Sequence, residues 1–106
     1  MSNYSIHTEQ LADMFKALGN PHRLALFRRL SSCCSPGTLC DAELAARHSV
    51  SELGEQLTIA PSTLSHHLKE LNRAGLIHMR RDGKSVKCWV EPTTLKVLTD
   101  FFDQPL

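Results

Sequence analysis

Residues 59–77 read "IAPSTLSHHLKELNRAGLI", and the architecture of the chain turns on how this segment is read. Pro61 suits the first turn of a helix, where its missing N–H has no intrahelical partner to lose, and Gly75 suits the stop after its last turn. Between them Leu64, Leu68 and Leu71 recur at helical spacing and must face a core. That leaves Ser62, Thr63, Ser65, His66 and Lys69 on the outer and N-terminal surface. His67, three residues after Leu64 and one before Leu68, reads as a packed histidine. Residues near a helix N-terminus are the ones that reach base edges when a helix enters the major groove. Hydroxyls there can serve base or phosphate, and capping of the helix start is the plain alternative for Ser62 and Thr63.

Immediately upstream, "SVSE" places Ser49 and Glu52 at capping-box spacing. Val50, Leu53 and Leu57 follow on one face, so a short helix is expected to begin at Ser49, with residues 58–60 as the turn into the next. Two short helices joined by about four residues form a helix-turn-helix outline, a pattern that by itself has many false matches. Downstream, "LIHMRRDGKSVKCWVEP" (residues 76–92) has two partly alternating runs around Asp82-Gly83. The dipeptide is expected to centre a type I′ turn, which needs positive φ at both central residues, and the result is a two-stranded wing. Cys88 shares strand parity with Val86 and Val90 and reads as a small buried side chain.

Helices flank this unit. Leu11, Met14, Phe15 and Leu18 fall at i, i+3, i+4 and i+7, and Gly19 follows as a stop. Asn20-Pro21 starts a second helix that runs to about Ser32, with Leu24, Phe27 and Leu30 as its inward stripe and Arg23, Arg28 and Arg29 pointing elsewhere. Residues 35–48 are open between a loop and a short helix beginning near Asp41. Beyond Pro92, Leu95, Leu98, Phe101 and Phe102 line one side of a last helix. The expected fold is mainly α with a small β-hairpin, a winged helix-turn-helix in the order α-α-α-α-β-β-α.

A length of 106 residues suits a single domain, 1–106. The net charge of +1 conceals a division: residues 62–91 hold six basic side chains (Lys69, Arg73, Arg80, Arg81, Lys84, Lys87) against three acidic ones. This section is suited to a polyanion, with a solvated face as the alternative. Arg73 flanks the helix just described, and Arg80, Arg81 and Lys84 surround the wing turn, where they could grip phosphates or the minor groove. The opening residues, "MSNYSIHTEQLADMF", have neither a basic n-region with an apolar core nor a membrane-length apolar run. The cytoplasm is therefore expected, no membrane partner is expected, and cysteines in that compartment stay as thiols.

"ALGNPHRLALFRRL", "SELGEQL", "STLSHHLKELNRAGLI" and the Asp-Gly wing together resemble the ArsR/SmtB family of bacterial metal- and metalloid-responsive repressors, over Leu11 to Phe102. The resemblance implies a homodimer, joined through its first and last helices, that binds double-stranded operator DNA and releases it when an inducer binds. Family members commonly hold the inducer on a Cys-x-Cys pair at the start of the first helix of the helix-turn-helix, or on acidic residues and histidines of the last helix. Here the first site is occupied by Ser49 and Ser51, and "PTTLKVLTDFF" contains no histidine.

The departure coincides with extra chain, 31–48, carrying Cys33, Cys34 and Cys40, three of the four cysteines. Trivalent arsenic and antimony are soft, bond to three thiolates and keep a lone pair on the open side, whereas zinc favours a closed set of four ligands. Cys33 and Cys34, being adjacent, point to different sides of any regular element, so both can meet one ion only where the backbone is irregular. Pro36-Gly37 can turn the chain to bring Cys40 back. Trivalent arsenic or antimony is therefore the expected inducer, with no catalytic cofactor. A thiol-redox sensor of the same fold is the principal alternative, through a Cys34–Cys40 disulfide. A constitutive DNA-binding module with incidental cysteines is a further one. An arsenical-processing thiol enzyme is disfavoured, because the chain has no CxxC motif and no oxyanion cradle.

Overall fold

Asn20 opens the second helix as its sequence implies. The backbone N–H groups of His22 and Arg23 donate to its Oδ1 at 2.9 and 3.2 Å, and Pro21 takes the first helical position. A computed structural model describes residues 2–32, 39–54 and 60–103, with side chains described for 8–32, 39–48, 53–54 and 60–103. Its elements are α1 (Ser2–Leu18), α2 (Pro21–Ser32), β1 (Cys40–Asp41), α3 (Ala42–Glu52), α4 (Pro61–Arg73), β2 (Ile77–Asp82), β3 (Ser85–Val90) and α5 (Pro92–Asp103).

Leu11, Met14 and Ala17 turn the inner face of α1 to the core, with Phe15 and Leu18 packed at its margin. α2 crosses the centre and packs against α1, α3, α4 and β3. Its buried residues are Ala25, Leu26, Phe27 and Leu30, while Leu24 is 49% exposed. The expected stripe is thus corrected: Leu24 and Leu26 lie about 200° apart around a helix, so only one can face inward, and neighbours on several sides select Leu26.

Two boundaries also differ from expectation. α3 starts at Ala42, which matches the open option of a helix beginning near Asp41 but runs through Ser49, where the sequence predicts a separate helix to begin; its first turn is capped by Asp41, whose Oδ1 accepts the N–H of Leu44 at 3.1 Å. Ser49 lies inside that helix rather than at its start. Leu57 and the residues 58–59 of the expected turn fall outside the described residues. The wing, in turn, has three strands in the order β1-β3-β2, all antiparallel. β1 is two residues long and directly precedes α3, so the wing is stitched to the start of the helix-turn-helix.

In the hairpin Asp82 pairs with Ser85, making Gly83 and Lys84 the central residues. Only Gly83 has positive φ (64°). That satisfies a type II′ turn, which asks for glycine at its first central position, rather than the type I′ expected.

α4 ends as its sequence implies. Gly75 adopts φ of 82°, its N–H donates to the carbonyl of Asn72 at 3.0 Å, and that of Leu76 donates to Leu71 at 3.0 Å. This is the Schellman pattern, with Leu71 and Leu76, both fully buried, as its apolar clasp. Burying each leucine contributes roughly 2 kcal/mol. Thr94 of α5 donates its hydroxyl to the carbonyl of Gly75 at 2.9 Å, fixing the last helix against this corner.

Candidate nucleic-acid interface and thiol site

α4 is strongly two-sided. Leu68 and Leu71 are buried and Leu64 packs at the margin of the core, while Ser62, Thr63, Ser65, His66 and Lys69 are all exposed. The N-cap is Ala60, with no side-chain hydrogen bond to the helix start. Ser62 and Thr63 are therefore inside the first turn and do not cap it. His67 is half-buried, as its spacing implies. Its ring stacks on His22 with centroids 5.8 Å apart, and its Nδ1 lies 3.5 Å from Nη1 of Arg23, whose Nε donates to the carbonyl of Ala17 at 2.7 Å. Burial, followed by the charges of Arg23, His22 and His66, lowers the pKa of His67 below its ordinary value.

Around this helix lie the cations. Arg80, Arg81 and Lys84 are exposed on the wing. Among the described residues, Lys69, Arg80, Arg81 and Lys84 enter no ion pair, so their charges are available to an external anion. Arg73 differs, because its Nη2 lies 2.6 Å from Oε1 of Glu70; that carboxylate raises the pKa of Arg73 and offsets its charge. A groove of about 600 Å³ runs between the start of α3, the first turns of α4 and the wing, with Arg47, Ser65, Arg81 and Lys84 on its walls beside Asp41 and Glu43. Arg47, not singled out in the sequence, is tied to Glu43 at 3.0 Å. Its i,i+4 spacing from Glu43 is the signal that could have marked it.

The thiol site is described only at one end. Cys33 and Cys34 lie outside the described residues. Cys40 is buried at the start of β1 and is disulfide-bonded. Cys88 is a free thiol, fully buried on β3. Burial and the carboxylate of Asp41 push its pKa up to about 12. Asp41 itself sits below the usual carboxylate range, chiefly because the Leu44 N–H donates to it, and Lys87 adds to this from 3.4 Å. Among the described residues no group of three or more His, Cys, Asp or Glu side chains could hold a metal ion. None of their helices is long and apolar enough to cross a membrane.

Helix-turn-helix, recognition-type helix and wing are matched by known proteins. Residues 38–79 fit the family described as "Bacterial regulatory protein, arsR family". An HTH-type transcriptional regulator of Methanocaldococcus jannaschii, MJ1325, is 32% identical over 75 residues, which cover 71% of each chain. This chain belongs to the ArsR family. The transcriptional activator HlyU of Vibrio cholerae is 33% identical over 87 residues, covering 82% of this chain and 68% of HlyU. In three dimensions the ArsR-type fold recurs in the homodimeric winged helix-turn-helix domain of Mb0332 from Mycobacterium bovis. That likeness has a TM-score of 0.63 at 21% identity and covers 97% of this chain and 83% of that one. The chain is thus a transcriptional regulator of the ArsR family with a winged helix-turn-helix fold, and its relatives are regulators rather than enzymes.

Proposed function

We propose that this ArsR-family regulator is a homodimeric repressor, one winged-helix domain per chain, that leaves operator DNA when trivalent arsenic or antimony binds the thiolates of Cys33, Cys34 and Cys40. Ser62, Thr63, Ser65 and His66 touch bases from the exposed face of α4. Lys69 and Arg73 contact or flank phosphate, and Arg80, Arg81 and Lys84 hold the backbone beside the wing. Two α4 helices of a dimer would enter successive major grooves about 34 Å apart. The homodimeric state of the similarly folded Mb0332 supports the assembly, as do the exposed Phe101 and Phe102.

One observation carries the inducer reading. Cys40 is disulfide-bonded, so its sulfur takes part in thiol chemistry directly beside the first helix of the helix-turn-helix. Soft ions that bridge thiolates need a sulfur so placed. Because Cys40 and Asp41 precede α3 without a break, capture at this point alters the lead-in to the DNA-reading unit. Release then requires only that the free conformation bind inducer better than the DNA-bound one, by roughly 1–3 kcal/mol.

The same disulfide favours a second reading, a redox switch in which two thiols lose two electrons and two protons to an oxidant. A gel-shift titration with reduced protein separates the two. Under the first reading, arsenite or antimonite releases wild-type protein from DNA but leaves Cys40→Ser bound. Release by a thiol oxidant alone, with no response to arsenite, establishes the second. Release of Cys40→Ser by arsenite at the wild-type concentration overturns the site.

A further inference from the structure

β1 is short, but its register is specific: Cys40 pairs directly with Cys88 of β3. Residues opposite one another in an antiparallel ladder project to the same face, with Cβ atoms about 4.5–5.5 Å apart. Cys40 and Cys88 are 7% and 0% exposed and belong to one core cluster. On the other side of β3 the partner of Cys88 is Met79. Across the three strands, then, the disulfide sulfur of Cys40, the thiol of Cys88 and the thioether of Met79 stand in one row on the inner face of the wing. By parity along β3 alone, Cys88 looks like a small apolar residue beside Val86 and Val90; only the pairing with β1 brings it opposite a second cysteine.

Such a row is chemically suited to a soft ion. The thiol of Cys88 lies among apolar and sulfur-bearing side chains. It stays protonated at neutral pH and is a poor nucleophile toward oxidants. A hydroxylated trivalent metalloid removes that obstacle because it carries its own base. Each thiol proton leaves with one metalloid hydroxide as water, a sulfur–metalloid bond replaces an oxygen–metalloid bond, and no electrons move. The Cys40 disulfide must first be opened by a small-molecule dithiol, which ends as a disulfide itself.

We propose that Cys88 is a direct ligand of the inducer, sharing the ion with Cys40 across the β1–β3 ladder. This rests on the reading that Cys40 belongs to the inducer site. Its consequence is mechanical. Cys40 borders α3 and Cys88 lies in the wing, so one ion held by both clamps the wing to the entrance of the helix-turn-helix. The spacing between wing and α4, on which simultaneous contact with backbone and groove depends, is then set by the ion.

The test uses the full chain, reduced with a dithiol that is then removed, and sodium arsenite as the probe. X-ray absorption counts sulfur neighbours of arsenic in wild type, Cys88→Ala, Cys88→Val and Cys40→Ser. Loss of one sulfur neighbour in both Cys88 variants, with affinity lower by at least about tenfold, is expected; even second-sphere losses reach that scale. The wild type supplies a measurement independent of whether the variants fold: with 13Cβ-labelled cysteine, the Cys88 resonance shifts on adding one equivalent of arsenite. An unmoved Cys88 resonance, or Cys88 variants with the wild-type sulfur count and affinity, overturns the proposal while leaving Cys40 as a ligand. Wild-type protein that ignores arsenite, or Cys40→Ser that binds it undiminished, overturns the inducer site itself and this inference with it.

Discussion

His67 illustrates how one side chain can be assigned from spacing and yet acquire its properties from neighbours far along the chain. Its place between Leu64 and Leu68 marks it as packed, but its pKa is depressed first by burial and then by the charges of Arg23 and His22 of α2. A histidine whose folded pKa lies below its unfolded value takes up its proton first in the unfolded chain. Its neutral form therefore supports the fold fully above about pH 6.5, and that support drains away as pH falls through the folded pKa. The denaturation midpoint is expected to fall on acidification below pH 6.5, and His67→Gln should flatten that dependence. Identical pH profiles for the two proteins would count against the coupling. Asp41 shows the same limit of local reading, because its position could be taken for loop or helix start, and it proves to be β1 residue, cap of α3 and partner of Lys87 at once.

Among the elements, α4 and the wing were the most legible. Pro61, the leucine spacing and Gly75 bound α4 correctly because proline geometry, helical periodicity and positive φ are local properties. The hairpin was found, but its turn is displaced by one residue. The pairing of Asp82 with Ser85 is set by register with the whole of β3 rather than by the dipeptide. α3 begins where the sequence leaves a helix start open, near Asp41, and Ser49 misleads because a serine and a glutamate at capping spacing are compatible with a helix interior as well as a start. For the wing, the charges of Arg80, Arg81 and Lys84, unpaired among the described residues, make a quantitative expectation. Alanine at any one that meets phosphate should weaken operator binding and reduce the salt slope of log K by about one unit, uniformly across operator sequences. Unchanged affinity and slope in all three variants would mark the wing as merely solvated.

At the scale of the chain, the outward aromatic edge is the telling feature. Phe15 of α1 meets Phe101 and Phe102 of α5 at centroid distances of 5.2 and 5.7 Å, yet Phe101 and Phe102 remain 48% and 74% exposed. If that edge is where two copies join, Phe102→Glu should give monomers in analytical ultracentrifugation and weaken operator binding sharply while the circular dichroism stays native. A dimer of undiminished affinity would move the interface elsewhere. The radius of gyration, 14.2 Å, is slightly above the roughly 13 Å of a compact chain of this length. Composition, periodicity and turn chemistry in the linear chain were enough for the winged helix-turn-helix, the exposed face of α4 and the basic wing, since each depends on residues close together along the backbone. The third strand, the inward choice of Leu26 over Leu24 and the meeting of Cys40 with Cys88 came only with folding. Each depends on which of several locally equal options finds a complementary partner across the core, and no local rule encodes a partner dozens of residues away.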